Sequence, residues 1–370
     1  MALLELSVVQ FKNYAESRFQ FDSGINCIVG DNGSGKTNLL DAIYYLAMTK
    51  SAFQAVDQQN IRQSDDFFRL EGVFEHEAQP FKIYCALQTG QKKIFKVENK
   101  PVERLSEHIG RVPLVLVKPD DSYQLNEGSE QRRAFFDHVM SQISQPYLNS
   151  LLRYNHALKQ RNQLLKQFAE KHWVDHDLLT VYDQVLLTEG HSIAQARSEF
   201  MQTFEPVFVQ FYRNIADKQE PISLTYASHF ADPEFATAFK AARPKDLAMA
   251  RTTQGIHKDD FGFALQGLPL KKFGSQGQQK SFAIALKLAQ FEVLRQAKGE
   301  KPLLLLDDIF DKLDDKRIAK LMEMMASGTF GQVWMTDARP ERSHKLLKKV
   351  TASKRFFYIR QGACEQVEQG

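Results

Sequence analysis

The sequence predicts an α/β fold: a parallel sheet core with an antiparallel side sheet, split by an inserted, mostly helical second domain. Three observations carry this. A largely apolar run, Ile25-Asn26-Cys27-Ile28-Val29, leads through a glycine-rich turn into Leu39-Leu40-Asp41-Ala42-Ile43-Tyr44-Tyr45-Leu46. A second run, Leu303-Leu304-Leu305-Leu306, ends in two aspartates, and between the two runs the stretch from about residue 130 to 213 reads as helix with few glycines or prolines. Apolar runs without alternation are the mark of strands buried on both faces, as in a parallel sheet.

In chain order, residues 3–29 read as short strands and residues 67–97 as an antiparallel meander with turns near 75–78 and 88–91. Glu220-Pro221-Ile222-Ser223-Leu224-Thr225-Tyr226 reads as a strand leading back from the helical stretch. Gly274-Ser275-Gln276-Gly277-Gln278-Gln279 opens a helix in which Phe282, Ala285, Leu286, Ala289 and Val293 recur at helical spacing, with Ser275 as its N-cap. A further strand, Gln332-Val333-Trp334-Met335, ends in Thr336-Asp337. The insertion has room for helices of about ten to twenty residues each, and none for a long coiled coil.

The glycine-rich turn, Gly30-Asp31-Asn32-Gly33-Ser34-Gly35-Lys36-Thr37 followed by Asn38, is a phosphate-binding loop in the strand-to-helix context that gives such a pattern its chemistry. Its glycines let backbone N–H groups curl around phosphate oxygens, Lys36 reaches the β and γ groups, and the Thr37 hydroxyl is placed to ligate Mg²⁺ at a helix N-terminus. Asp307 would hold the same metal ion, and Asp308, one residue on, would orient or deprotonate the attacking water as the catalytic residue. ATP and Mg²⁺ are therefore the expected cofactors. Lys36 and Asp307 lie too far apart along the chain for a compact nucleotide-binding core without an insertion, which sets the expected division: 1–125 and 246–370 as two halves of an ATPase lobe, 126–245 as the inserted domain.

Ser275, Gly277 and Gln278 at a helix start make a second anion site. Since the loop at Lys36 already cradles one set of phosphates, this site asks for another, and in a head-to-tail dimer that phosphate belongs to the partner.

These motifs, in this order, resemble the ABC/SMC class of ATPases and, within it, the RecF family. The resemblance also runs through Phe11-Lys12-Asn13-Tyr14, Lys50-Ser51, Gly128-Ser129 with Arg132-Arg133-Ala134-Phe135-Phe136-Asp137, Gly255-Ile256-His257-Lys258-Asp259-Asp260-Phe261, and Asp307-Asp308-Ile309-Phe310 with Leu313-Asp314. It implies a weak, DNA-stimulated ATPase of recombinational repair and replication in the cytoplasm. Such a protein dimerises with ATP on DNA at gaps and single/double-strand junctions, and helps RecO and RecR load RecA. It also implies that Ser275, Gly277 and Gln278 contact the partner's γ-phosphate and that Leu313-Asp314 crosses the dimer interface. The chain departs from the wider class in four places: Asp308 stands where transporter relatives carry Glu, Asp311-Lys312 stands where many relatives have Ser-Glu, the switch histidine is replaced by Thr336 as candidate γ-phosphate sensor, and no clear metal-binding glutamine follows Leu114-Val115-Leu116-Val117. The alternatives are the ATP-hydrolysing subunit of an ABC transporter or an SMC-type nuclease accessory ATPase.

With 43% hydrophobic and 25% charged residues the chain has the composition of a soluble protein, and no apolar run approaches the roughly 18 residues of a membrane span. A net charge of +3 leaves DNA binding to local patches. The clearest is a basic amphipathic helix carrying Arg153, Lys159, Arg161 and Lys166, which fits either a solvated face or phosphate contact; the resemblance favours the latter. Arg132-Arg133 and Lys345, Lys348, Lys349, Lys354 and Arg355 are weaker patches. The three cysteines lack metal-ligand spacing, and His257 reads as turn-stabilising or functional without being catalytic.

Overall fold

The computed structural model describes residues 1–121, 128–171, 173–216, 220–311 and 313–370. Packing divides them into two compact units. The first takes residues 1–121, 214–216 and 280–370, and the second the described residues of 122–213 and 217–279. The expected boundary at 125/126 and the departure at Lys312 lie outside the described residues.

The first unit holds two six-stranded sheets. In one, β3 (Ile25–Val29), β13 (Val333–Asp337), β12 (Leu303–Leu306), β8 (Leu114–Val117) and β14 (Lys354–Arg360) run parallel, with β15 (Ala363–Gln369) antiparallel at one edge, in the order β15-β14-β3-β13-β12-β8. Every residue of β3, β12 and β13 is buried, as their unalternating apolar sequences require. The other sheet is antiparallel: β1 (Ala2–Phe11), β2 (Tyr14–Gln20), β4 (Phe67–His76), β5 (Gln79–Gln88), β6 (Ile94–Val97) and β7 (Lys100–Pro101), ordered β2-β1-β4-β5-β6-β7. The β4–β5 hairpin closes on Glu77 and Ala78, both at positive φ (49° and 61°), a two-residue turn whose twist matches the strands without the usual glycine.

Helix α1 (Lys36–Met48) joins one core with both sheets, and only Thr37 and Asn38 of its thirteen residues escape full burial. A helix apolar on all sides must be enclosed in this way. Gln332 ties the parallel sheet to β1: its amide accepts from the Leu3 N–H at 2.7 Å and donates to the Leu3 carbonyl at 2.8 Å, so a buried polar side chain stands in for a strand residue.

The second unit is built on α2 (Ser129–Ile143), α3 (Gln145–Lys171) and α4 (His176–Ile215). α3 has 27 residues and α4 has 40, so the expectation of helices of about ten to twenty residues is corrected: the apolar spacing runs on without a break. Pro206 lies inside α4 on an exposed face, beside an exposed Gln202, where water can take the carbonyl that proline cannot satisfy. The expected strand near 220–226 is β9 (Ile222–Ala227), which pairs with β10 (Asp260–Leu265), itself paired with β11 (Leu268–Pro269). That pairing groups residues 246–279 with the helical unit. Phe136 of α2 stacks on Phe261 of β10 at 4.1 Å, and the short helices α5 (Phe235–Ala241), α6 (Arg243–Ala248) and α7 (Leu270–Phe273) complete the unit.

Two buried arginines organise this core. Arg161 on α3 is fully buried and bonds Asp183, Asp246 and Thr252 at 2.6, 2.7 and 2.8 Å. Arg197 on α4 bonds Asp137, Tyr147 and the Ile256 carbonyl. Arg161 is therefore corrected from a phosphate-contact candidate to an internal ion-pair hub. Arg132 and Arg133 are likewise tied down, to Asp260 and the Asp259 carbonyl. His257 bridges the Tyr154 hydroxyl and the Thr252 carbonyl, and burial pushes its pKa down to about 4, so it is a neutral turn-stabilising residue.

Candidate nucleotide site

The order β3-β13-β12 in the parallel sheet brings three loop starts side by side at the strands' carboxyl ends, where ligands bind in such sheets. β3 feeds the glycine-rich loop, β12 delivers Asp307 and Asp308, and β13, lying between them, delivers Thr336. A cavity of about 160 Å³ there is lined by Asn32, Gly33, Gly35, Lys36, Thr37, Asn38, Asp308 and Thr336.

Loop geometry explains the glycines. Gly30, Gly33 and Gly35 all have positive φ (151°, 80° and 119°). A Cβ on Gly30 would meet the Ile359 carbonyl at 2.2 Å, so this position has no room for a side chain. The Lys36 ammonium donates to the Gly30 and Asp31 carbonyls at 2.8 and 2.9 Å, which folds it back over the loop. Burial lowers its pKa against the opposing pull of Asp308, Asp307, Asp337 and Asp31.

The acidic strand end meets two hydroxyls. Thr37 Oγ1 donates to Asp307 at 2.9 Å, and Thr336 Oγ1 donates to Asp307 Oδ1 at 2.9 Å while accepting from the Asp308 N–H at 2.8 Å. Burial holds the Asp307 carboxyl above the usual carboxylate range, a shift that these two hydroxyls oppose. Asp308 sits at φ 44°, a left-handed conformation that costs a non-glycine residue and is fixed here by the bond to Thr336. Behind Thr336, Asp337 is buried, but Arg342, Ser343 and the Arg339 N–H bond it and bring its pKa below the ordinary value.

Orphaned polar atoms in this site fit a nucleoside triphosphate. Asp308 Oδ1 and Ser34 Oγ are buried without a hydrogen-bond partner among the described residues, and buried polar atoms in that state call for one. Thr37 with Asp307 is a hydroxyl–carboxylate pair of the kind that would hold Mg²⁺ in a P-loop site. No cluster of three or more His, Cys, Asp or Glu suited to a metal occurs among the described residues.

Ser275, Gly277 and Gln278 belong to the second unit and lie exposed or half-buried at the start of α8 (Gln276–Lys298). The Ser275 hydroxyl accepts from the Gln278 N–H at 3.3 Å, and the Gln278 side chain accepts from the Ser275 N–H at 2.7 Å. This reciprocal capping box leaves the Gln276 and Gly277 N–H groups of the first turn for another acceptor. Asp314, in the expected interface loop, caps α9 (Asp315–Ala326) by accepting from the Arg317 N–H at 3.0 Å.

Sequence reasoning missed the outer clamp on the loop. Asn13 donates to the Ser34 carbonyl at 2.9 Å and accepts from Asn38 at 2.8 Å, the Tyr14 hydroxyl donates to the Gly35 carbonyl at 3.0 Å, and the Gly362 N–H donates to the Ser34 carbonyl at 2.8 Å. Lys12 pairs with Asp41 at 2.6 Å, and Asp41 also accepts from Ser51 at 2.6 Å. The signal was visible as Phe11-Lys12-Asn13-Tyr14, but no local rule connects the first strands to a loop twenty residues later.

Of the expected DNA contacts, Lys159 and Lys166 are exposed on α3 and make no ion pair among the described residues, and Arg153 is exposed but held by Glu189 at 2.6 Å. No helix among those residues is long and apolar enough to cross a membrane.

A profile of the RecF/RecN/SMC N terminal domain matches residues 2–355. The chain is 46% identical to the DNA replication and repair protein RecF of Flavobacterium johnsoniae, covering 97% of this chain and 100% of the relative. It is 45% identical to that of Cytophaga hutchinsonii, covering 99% and 97%. A solved structure of the recombination mediator protein RecF with ATP, in the RecFOR pathway, superposes with a TM-score of 0.88 at 27% identity, covering 100% of this chain and 97% of the other. An Smc head bound to the C-terminal winged-helix domain of ScpA matches at a TM-score of 0.57 and 13% identity, which shows a common fold. With motif order, sheet topology and full-length likeness in agreement, the chain belongs to the RecF/RecN/SMC family of ABC/SMC-type ATPases and, within it, to the RecF proteins.

Proposed function

We propose that this protein is an ATP-gated DNA-binding mediator of recombinational repair. It dimerises with ATP on DNA at gaps and single/double-strand junctions, works there with RecO and RecR in loading RecA, and is reset by slow, DNA-stimulated hydrolysis. The observation that carries the reading is the split of phosphate-binding groups: Lys36, Thr37, Asp308 and Thr336 line one cavity, with Asp307 bonded to Thr37 and Thr336, whereas Ser275, Gly277 and Gln278 present a capped helix start in the other unit. A second anion site of that kind suits the γ-phosphate held by a second copy. The RecF relatives, named for DNA replication and repair and solved with ATP, support the same reading.

In this mechanism Lys36 and the loop N–H groups bind the phosphates, and Thr37 and Asp307 would hold Mg²⁺, which would supply charge neutralisation at the phosphates. Asp308 takes the proton of the attacking water, and Thr336 fixes the backbone at Asp308 so that this carboxylate is presented in one geometry. Asp reaches less far than Glu, which suits a switch better than a fast motor.

The test is binding of the purified protein to a gapped duplex with and without ATP at two salt concentrations, with mass followed by light scattering. Tight, salt-sensitive binding that accompanies an ATP-dependent dimer is expected. Ser275→Ala should bind ATP normally and fail to dimerise, and Asp308→Asn should remain dimeric on DNA. A Ser275→Ala protein that dimerises like the parent would overturn the shared-site reading.

A further inference from the structure

The turn between α3 and α4 carries a large exposed aromatic. Trp173 is 61% exposed, yet its ring packs perpendicular to Phe168, with centroids 6.0 Å apart, and Phe168 belongs to a small core with Leu165 and Leu179. The indole is thus anchored while much of its surface stays open. Two further exposed apolar residues, Leu178 and Val181, follow on the first turns of α4. A tryptophan left this exposed forfeits about the largest burial gain any side chain can offer, so its position calls for a partner.

The surroundings define that partner. Lys159, Lys166 and Lys171 are exposed along α3 and make no ion pair among the described residues, and Lys159 and Lys166, seven residues apart, share one helix face. Opposing charge nearby comes from Glu170 and Asp177; the third carboxylate, Asp175, accepts from the Leu178 N–H at 2.9 Å and so caps α4. Free lysines that lead along a helix to an open aromatic ring are the pairing by which proteins hold single-stranded nucleic acid: cations follow the phosphates and the ring stacks on a base. A hydrophobic protein partner would account for Trp173 but would leave the row of unpaired lysines without a role.

We propose that Trp173 is a base-stacking residue that engages an unpaired base on the single-stranded side of a gap or junction, with Lys159, Lys166 and Lys171 on the adjoining phosphates. The inference rests on the DNA-binding reading above and deepens it, because it assigns recognition of the single strand to the tip of one helical hairpin.

The chain has two tryptophans, and the other, Trp334, is fully buried, so indole fluorescence separates the two. With the full-length protein and ATP, a gapped duplex and a single-stranded oligonucleotide should quench the exposed indole, and a blunt duplex should not. Trp173→Ala should weaken gapped-duplex binding by about tenfold, a typical loss for one stacked base, with blunt-duplex binding and DNA-free ATP hydrolysis unchanged. Trp173→Phe should restore most of the affinity. Wild-type affinity of Trp173→Ala for the gapped duplex, or equal quenching by blunt duplex, overturns the proposal while leaving the clamp reading intact. Absence of any ATP-dependent DNA binding by the parent protein overturns both.

Discussion

The Thr37 hydroxyl lies 2.9 and 3.1 Å from the two carboxylate oxygens of Asp307, across 270 residues of chain. In the proposed mechanism each group is half of a metal site, and the parallel arrangement of β3, β13 and β12 is what makes them neighbours. Asp307→Asn keeps the shape and removes the charge. ATP turnover should fall on the order of a hundredfold or more. Steady-state hydrolysis across a Mg²⁺ titration checks this, and a variant with the parent's turnover and the parent's Mg²⁺ dependence would remove Asp307 from the metal role.

The phosphate loop is held from outside as well as by its own glycines. A Cβ on Gly362 would sit 2.2 Å from the Asn13 carbonyl, at a backbone φ of 76°, so Gly362→Ala must push the Asn13 clamp off Ser34. Asn13→Ala removes the same clamp directly. Both variants should lose about tenfold in ATP affinity, the equivalent of one unsatisfied buried hydrogen bond, although neither residue lines the cavity. Titration calorimetry with ATP reads the effect, and unchanged affinity in both would show the clamp to be dispensable.

Arg161 and its helix neighbours should behave in opposite ways. Arg161→Ala leaves Asp246 buried without its cation and Asp183 with Arg243 alone, and should cost about 3–5 kcal/mol of stability, seen as a lower urea midpoint. The double variant Lys159→Ala/Lys166→Ala should leave that midpoint within about 0.5 kcal/mol of the parent and lower the salt dependence of DNA binding. A stable Arg161→Ala protein with weakened DNA binding would reverse this assignment.

His108 makes stability pH-dependent. Its Nε2 bonds the Leu46 carbonyl at 2.8 Å, and burial pushes its pKa from 6.5 down to about 4. Because the folded-state value is the lower one, the unfolded chain takes up the proton first. The contribution to stability is therefore complete above about pH 6.5 and is lost as pH falls towards 4, reaching about 2 kcal/mol at pH 5. Urea unfolding at pH 7 and pH 5 should show at least that loss in the parent, since buried His257 titrates in the same way, and a smaller one in His108→Gln, which keeps a donor but does not titrate. Equal losses in the two proteins would assign the pH dependence elsewhere.

Much of the site was legible locally. The glycines around Lys36, the acidic end of the leucine strand and the capped start of α8 are each written within a few consecutive residues, because backbone conformation, burial on both faces and helix capping are decided at that range. The hairpin at 75–78 was legible for the same reason. Helix lengths were not: periodicity shows that a stretch is helical, while the end of α4 depends on whether packing tolerates Pro206, and it does so on a solvent face.

The amino-acid order by itself therefore determined which residues are proposed for the chemistry, a phosphate loop, an aspartate for the metal and one for the water, because each rests on residue types in short-range patterns. Only the tertiary structure decided which of the basic residues on α3 stay free. Arg161 and Lys159 read alike in a helical pattern, but one is enclosed by carboxylates arriving from α4 and from α6, and the other faces water. Tertiary structure also decided that the first strands clamp the loop, that Thr336 joins Asp307 to Asp308, and that Trp173 remains open. Each of these depends on segments distant in sequence, whose meeting is set by sheet order and core packing rather than by any local pattern.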